Sequence, residues 1–199
     1  MIHDLLLKRF ATKQFDATKT VSDEHLAQIL EAARLSPSSA NTQPWKILVV
    51  TNPALREALK PHAYGQAQVT DASHLLVVCA VNDPMPRIQE TAALIRAQSG
   101  DEAADGYVKM VTGWIPPTEE AKRGWLSRQT YIALQSMMLA AAELGIDSCP
   151  MEGFNPTAFA EALGLTDVTP VTLLPIGYAA SAGHPKVRIA LDSMVEYRG

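Results

Sequence analysis

Apolar and polar residues alternate with several different periods along this chain, and each change of period marks an element. Residues 2 to 9 read as a short helix. Ser22 then stands as an N-cap before a second helix, with Asp23 and Glu24 in its first turn and Leu26, Ile29, Leu30 and Ala33 on one face. That helix stops near Ser36. Trp45 to Val50 reads as a strand, Pro53 opens a helix to about Lys60, and Leu75 to Val81 is an almost wholly apolar strand with both faces covered. Residues 86 to 113 are of mixed polarity and predict one or two helices, interrupted at Gly100 and followed by Pro116-Pro117. A long helix follows from about Thr118 to Leu144, stopped by Gly145 at the C′ position. Its second half, Ile132 to Ala142, is apolar nearly all round, and at 1.5 Å per residue the whole helix spans roughly 40 Å. A domain this small has difficulty surrounding such a helix alone, which predicts a dimer with the helix at the interface. A short strand around Ile146 to Cys149, a helix near Asn155 to Leu163 and a strand from Val171 to Tyr178 complete the pattern. The tail from Ser181 to Gly199 has few apolar anchors of its own, so it is either loosely ordered or lies on another subunit.

Between the second helix and the first strand runs Ser36-Pro-Ser-Ser-Ala-Asn-Thr-Gln-Pro-Trp45. Pro37 and Pro44 stiffen both ends by disfavouring helical geometry at the residues before them. Ser38, Ser39, Asn41, Thr42 and Gln43 give the loop an unusual density of small hydrogen-bonding groups. They either satisfy their own backbone through Asx- and Ser-type turns or hold a polar ligand.

The chain has 199 residues, 47% of them hydrophobic, enough for a real core in one domain. No internal repeat, low-complexity tract or linker divides it. A formal charge of −4, with 17 scattered Lys and Arg residues, supplies no basic field for a nucleic acid. The N-terminus has an acid where a secretory leader is basic, and no segment approaches the ~20 apolar residues that cross a bilayer. Cys79 and Cys149 lie in apolar stretches, which predicts buried free thiols and a reducing, cytoplasmic address. The five histidines show no metal-ligand spacing, and Gly-x-Gly-x-x-Gly, Walker A and Gly-x-Ser-x-Gly motifs are absent. An enzyme built this way would leave its chemistry to a cofactor.

Six separated segments occur in a telling order: Arg9-Phe-Ala-Thr-Lys13, Pro37 to Trp45, Asp71-Ala-Ser73, Pro150-Met-Glu-Gly-Phe154, Leu174-Pro-Ile-Gly-Tyr178 and Pro185-Lys-Val-Arg188. Together they resemble the FMN-dependent nitroreductase family over essentially the whole chain. The resemblance implies an α+β fold, with a central, mostly antiparallel sheet flanked by helices. It further implies an intertwined homodimer with two FMN molecules at the subunit interface and the tail, 181–199, extending over the partner. By the same resemblance Arg9, Lys186 and Arg188 would grip the FMN phosphate, with Phe10 and Ala11 in the same binding motif, and Lys13 would sit near the pyrimidine edge and favour negative charge at N1. Pro150, Met151, Glu152 and Gly153 would cover one face of the ring, with the N–H groups of Glu152 and Gly153 approaching N5 and O4. Pro37, Ser38, Ser39 and Asn41 would come from the other subunit. Gln68 falls where some members have a lysine, and Gln66 is a neighbouring candidate for amide recognition. Ala11, Gly65 and Gln68 depart from the family pattern and alter the hydrogen bonds it would make.

The implied activity is a two-electron, ping-pong transfer in which NADH or NADPH gives hydride to FMN N5 and a nitroaromatic, quinone or related acceptor then takes the electrons. No side chain is singled out as catalytic. Trp114 and Tyr107 are candidate acceptor contacts, with simple packing as the alternative. A flavin or enone reductase, and a non-enzymatic FMN-binding protein, are the other functions open to such a sequence.

Overall fold

The computed structural model describes residues 1–199. Four of its eight α-helices begin where a short polar side chain reaches one of the first free N–H groups. In α1 (Ile2–Lys8) the helix ends one residue before the sequence pattern suggested. In α2 (Asp23–Arg34) the Ser22 hydroxyl accepts from the His25 N–H at 3.2 Å. Asn52 plays the same part for α3 (Pro53–Leu59), accepting from Leu55 at 3.0 Å, and Asn155 for α8 (Pro156–Ala162), accepting from Ala158 at 3.1 Å. Residues 86–113 resolve into two helices, α5 (Met85–Ser99) and α6 (Asp101–Trp114), meeting at Gly100. Thr118 caps α7 (Glu119–Glu143), and Gly145 follows its end at φ +72°, a conformation that suits a residue without Cβ. A single-turn helix, α4 (Gln68–Asp71), carries no periodic signature in so few residues and went unpredicted.

Four strands, β1 (Trp45–Val50), β2 (His74–Val81), β3 (Asp147–Ser148) and β4 (Val168–Gly177), form one antiparallel sheet in the order β1-β2-β4-β3. The largest differences from the sequence reading are two, while the start of β2 and the end of β4 each move by one residue. β3 is only two residues long where four were expected, and β4 starts at Val168 rather than Val171. The cause of the second lies in the pairing: a bulge between Val78 and Cys79 of β2 lets Cys79 pair with Pro170 while Val78 pairs with Thr172, leaving Val171 as the extra residue. The bulge shifts the phase of β4, so the alternation used to read the strand breaks at that point. Pro175 is tolerated in this inner strand because its carbonyl faces the short β3 side, where it accepts from Cys149 at 3.1 Å, and the missing N–H faces the same way.

Each face of the sheet buries its own core. Leu75, Val77 and Cys79 of β2 pack with Leu173, Leu59, Phe159 and Val69, so α3, α4 and α8 cover this face. Leu76 and Val78 pack with Leu174, Ile176, Ile29, Met137 and Ala141, so α2 and α7 cover the other. Burial of one such Leu or Phe contributes about 1.5–3 kcal/mol. The 25 residues of α7 span roughly 38 Å. Its inner side, including Leu134, Met137 and Ala141, is buried, whereas Tyr131 and Ile132 on the other side stay more than a third exposed. Ile2 and Leu7 of α1 and Val187, Leu191 and Tyr197 of the tail are also exposed.

Arg56 holds the approach to β2. Its buried guanidinium donates to the carbonyls of Val69 at 2.7 Å, Ser73 at 3.1 Å and Ala72, collecting the carbonyls that end α4. Burial lowers its pKa, and the nearby Asp71 charge opposes that shift. Ser73 continues the same junction: its hydroxyl accepts from the Val21 N–H at 2.8 Å and lies 2.9 Å from His74 Nδ1. Arg56→Ala leaves three buried carbonyls without a donor, so urea denaturation should show a loss of about 3 kcal/mol, and Arg56→Lys should recover only part of it.

Candidate functional site

The site is assembled at the β3 edge of the sheet. The Thr12 N–H donates to the Ser148 carbonyl at 3.2 Å, and Ala11 bridges Ser148 in parallel, laying residues 9–13 alongside β3. The chain then leaves β3 through Cys149 and Pro150, and Met151 rejoins the sheet by a reciprocal pair of 2.9 Å bonds with Leu173. From the far end of the sequence, Gly183 lies flat on the Phe10 ring, so near that a Cβ there would stand 2.6 Å from ring carbons. Lys186 donates its ammonium to the Arg9 carbonyl. Residues separated by more than 170 positions thereby share one surface.

That surface concentrates positive charge in a chain whose total is −4. Burial, and then Arg188, lowers the pKa of Arg9; burial, and then Arg9 and Arg188, lowers that of Lys186. None of these three cations, nor Lys13, lies within ion-pair distance of a carboxylate. Arg9 Nε is buried without an acceptor. Lys13 directs its ammonium at the Cys149 thiol, 3.7 Å away, and the Gln68 side chain borders the same sulfur. Like charges gathered in this way suit a dianion with planar acceptor edges.

Residues 150–154 form a rigid rim. The Thr172 hydroxyl donates to the Met151 carbonyl at 3.0 Å, the Phe154 N–H donates to the Glu152 carbonyl at 2.9 Å, and the Phe154 ring meets Phe159 edge-on with centroids 4.9 Å apart. Gln66 donates its amide to the Gly153 carbonyl at 2.8 Å and the Ala63 carbonyl at 3.1 Å. The Tyr131 hydroxyl donates to a Glu152 carboxylate oxygen at 2.5 Å. After these bonds two adjacent donors remain without an acceptor in the chain, the N–H groups of Glu152 and Gly153. Gly153 has little spare room, because a Cβ there would stand 3.2 Å from Gln66 Nε2. The NH2 of Gln66, the candidate for amide recognition, is thus committed to backbone carbonyls and holds the rim in place.

The Ser36–Trp45 loop stands apart from this cluster. Its hydrogen bonds run among its own residues and to α2, β2, α5, α6 and α7, and none reaches 9–13, 150–153 or 186–188. Ser38 Oγ accepts from the Gln43 N–H at 2.9 Å, and Asn41 Oδ1 lies 3.2 Å from Gln43 Nε2, so the turn alternative is realised within one chain. Three residues in four are left-handed: Ala40 (φ +50°), Asn41 (+54°) and Gln43 (+44°). Such backbone costs of order 1–3 kcal/mol per residue and persists where its surroundings enforce it. Here Gln129 accepts from the Ser39 N–H at 2.8 Å, Thr91 donates to the Asn41 carbonyl at 3.3 Å, and the Tyr107 hydroxyl donates to the Ala40 carbonyl at 2.9 Å. Tyr107 is therefore a brace for the loop, while Trp114 is 60% exposed. Gln129, Tyr131 and Thr91 escaped the sequence reading. The signal open to it was a hydrogen-bonding side chain on the buried side of a helix, Gln129 in α7 and Thr91 in α5.

A model of the nitroreductase family matches residues 6–178. A relative from Staphylococcus aureus strain USA300, provisionally named an NAD(P)H nitroreductase, is 38% identical over 213 aligned positions covering 100% of this chain and 96% of its own. Bacillus subtilis YfkO, with the same provisional name, is 36% identical over 95% of this chain and 93% of its own. Among solved structures, a provisionally named nitroreductase from Exiguobacterium sibiricum in complex with FMN superposes with a TM-score of 0.90 at 27% identity, covering 100% of this chain and 97% of its own.

Both thiols at or near this sheet are buried and unpaired. Burial pushes the Cys79 thiol up to about 12 and raises that of Cys149, against the opposing charge of Lys13. At pH 8 a disulfide reagent such as DTNB should therefore leave both unreacted in the native protein and titrate both once denaturant is added. Rapid native reaction of either would show that its environment is open.

Proposed function

The chain belongs to the nitroreductase family, and from that premise we propose that it is an FMN-dependent NAD(P)H oxidoreductase reducing nitroaromatics, quinones or related acceptors. The observation that carries the reading is the convergence of Arg9, Lys186 and Arg188 with no internal anion to neutralise them. The buried, unpartnered Arg9 Nε fits a phosphate oxygen. Further along the same surface Lys13 supplies the charge for the pyrimidine edge, and the free Glu152 and Gly153 N–H groups supply donors for the electron-rich edge of the ring. The Exiguobacterium sibiricum relative, solved with FMN, supports the choice of cofactor.

A second copy of the chain completes the site in this reading. Three features favour it: the uncovered side of α7 with Tyr131 and Ile132, the exposed apolar residues of α1, and a tail whose Val187, Leu191 and Tyr197 find no cover within the chain. Pro37, Ser38, Ser39 and Asn41, held in a strained loop away from their own chain's cations, would then meet the partner's cofactor. When bound, FMN supplies the redox chemistry, taking hydride at N5 from a nicotinamide and passing an electron pair to the acceptor. The chain's part is to neutralise the phosphate, to favour negative charge on the reduced ring through Lys13, and to fix the ring against the 150–153 rim.

Two measurements test this reading. Initial rates with NADH or NADPH and a quinone or nitroaromatic should give parallel double-reciprocal lines, the mark of an acceptor that enters after the oxidised nicotinamide has left; no turnover with either donor would contradict it. FMN should bind at least about a hundredfold tighter than riboflavin, and Lys186→Ala should reduce that preference by about tenfold. Equal binding of FMN and riboflavin by the wild type would remove the phosphate role of the cation cluster.

A further inference from the structure

The 150–153 rim is held from two sides by side chains that nothing in the family pattern above assigns to it. On one side Gln66, in the turn before α4, donates to the Gly153 carbonyl at 2.8 Å and ties it to the Ala63 carbonyl at 3.1 Å. On the other, Tyr131 of α7 donates its hydroxyl to the Glu152 carboxylate at 2.5 Å. Between these two tethers lie the N–H groups of Glu152 and Gly153, which have no acceptor in the chain. The rest of the segment is pinned by backbone pairing at Met151 and by the Phe154 ring on Phe159. The peptide that carries the Glu152 N–H has its Met151 carbonyl held by the Leu173 N–H and the Thr172 hydroxyl, and the peptide that carries the Gly153 N–H has its Glu152 carbonyl held by the Phe154 N–H; Gln66 and Tyr131 fix what flanks these peptides, the Gly153 carbonyl and the Glu152 side chain.

We propose that Gln66 and Tyr131 are positioning residues that aim the Glu152 and Gly153 N–H groups at the flavin. The inference rests on the functional reading above and extends it to residues that do not themselves contact the cofactor in that reading. The geometry gives each tether a distinct job. Gln66 fixes the rotation of the peptide that follows Gly153, because its NH2 bridges two carbonyls and cannot turn without losing both. Tyr131 fixes the Glu152 side chain against α7, the helix whose Gln129 also holds the Ser39 N–H at 2.8 Å. One helix thus supports the rim of its own chain and the strained loop that is offered to a second copy. Fixed donors stabilise charge at a ring edge more effectively than mobile ones, because no reorganisation is needed when the charge arrives. The pair should consequently favour the reduced, electron-rich flavin over the oxidised one.

The test compares wild type, Gln66→Leu and Tyr131→Phe. Tyr131 is more than a third exposed, so its hydroxyl can be removed with little risk to folding. Three quantities are read for each protein: the melting temperature without FMN, the FMN dissociation constant from fluorescence quenching, and the flavin midpoint potential measured anaerobically against a reference dye. The expected result is an FMN dissociation constant raised about tenfold in Gln66→Leu and about threefold in Tyr131→Phe, a lower midpoint potential in both, and unchanged melting of the apoprotein. A wild type that takes up FMN alongside variants with wild-type affinity and potential overturns the inference alone. So does a loss of affinity accompanied by destabilised apoprotein and an unchanged potential, since that marks a purely structural role. A wild type that takes up no FMN overturns the functional reading itself, and this inference with it.

Discussion

Cationic side chains brought together without a counter-charge are the constraint on which this molecule turns. Burial and the Arg188 charge lower the pKa of Arg9, burial and the Arg9 and Arg188 charges lower that of Lys186, and Arg9 keeps a buried Nε without an acceptor. Holding them close opposes folding unless something else compensates. The compensation is local and specific: the Arg9 carbonyl receives the Lys186 ammonium, Phe10 receives Gly183, and residues 11–12 are stitched to Ser148. Such a cluster at the sheet edge costs the isolated chain stability, a cost that the proposed phosphate role would account for.

The sheet supplies the precision. β2 is buried on both faces, and the helices on either side press against alternate residues of the same strand, so the β3 edge cannot shift without disturbing two cores. Arg56 locks the turn that leads into β2 by taking up three carbonyls. That same turn carries Gln66 and Gln68 to the site. On the opposite face α7 contributes buried apolar residues to the core and, through Gln129 and Tyr131, hydrogen bonds to two separate loops. Fold and site are therefore one mechanical unit rather than a scaffold with loops attached.

Much of this was legible in the sequence where the signal was periodic or punctuated. The Ser22 cap, the helix opened by Pro53, the apolar run of β2 and the division at Gly100 are local patterns that tertiary structure did not override. The start of β4 was not, because the bulge at Val78/Cys79 changes its phase and no residue type announces a bulge. The single turn of α4 is too short to show a period. At the site, the structure brings Arg9, Lys13, Lys186 and the 150–153 segment to one surface, while Gln66 and Tyr107 make contacts that the sequence around them does not announce. Side-chain amides and phenols declare their partners only in three dimensions: Gln66 had Ala63 close by and Gly153 far away in sequence, and Tyr107 reaches back to Ala40.

The central claim, that this surface is a flavin phosphate and ring cradle serving electron-pair transfer, is tested most directly by the visible spectrum of the purified protein incubated with excess FMN and then desalted. The account predicts a retained flavin absorbance, one FMN per chain, that bleaches when NADH or NADPH is added without oxygen. A protein that emerges colourless, or yellow and unbleached by both nicotinamides, would contradict it.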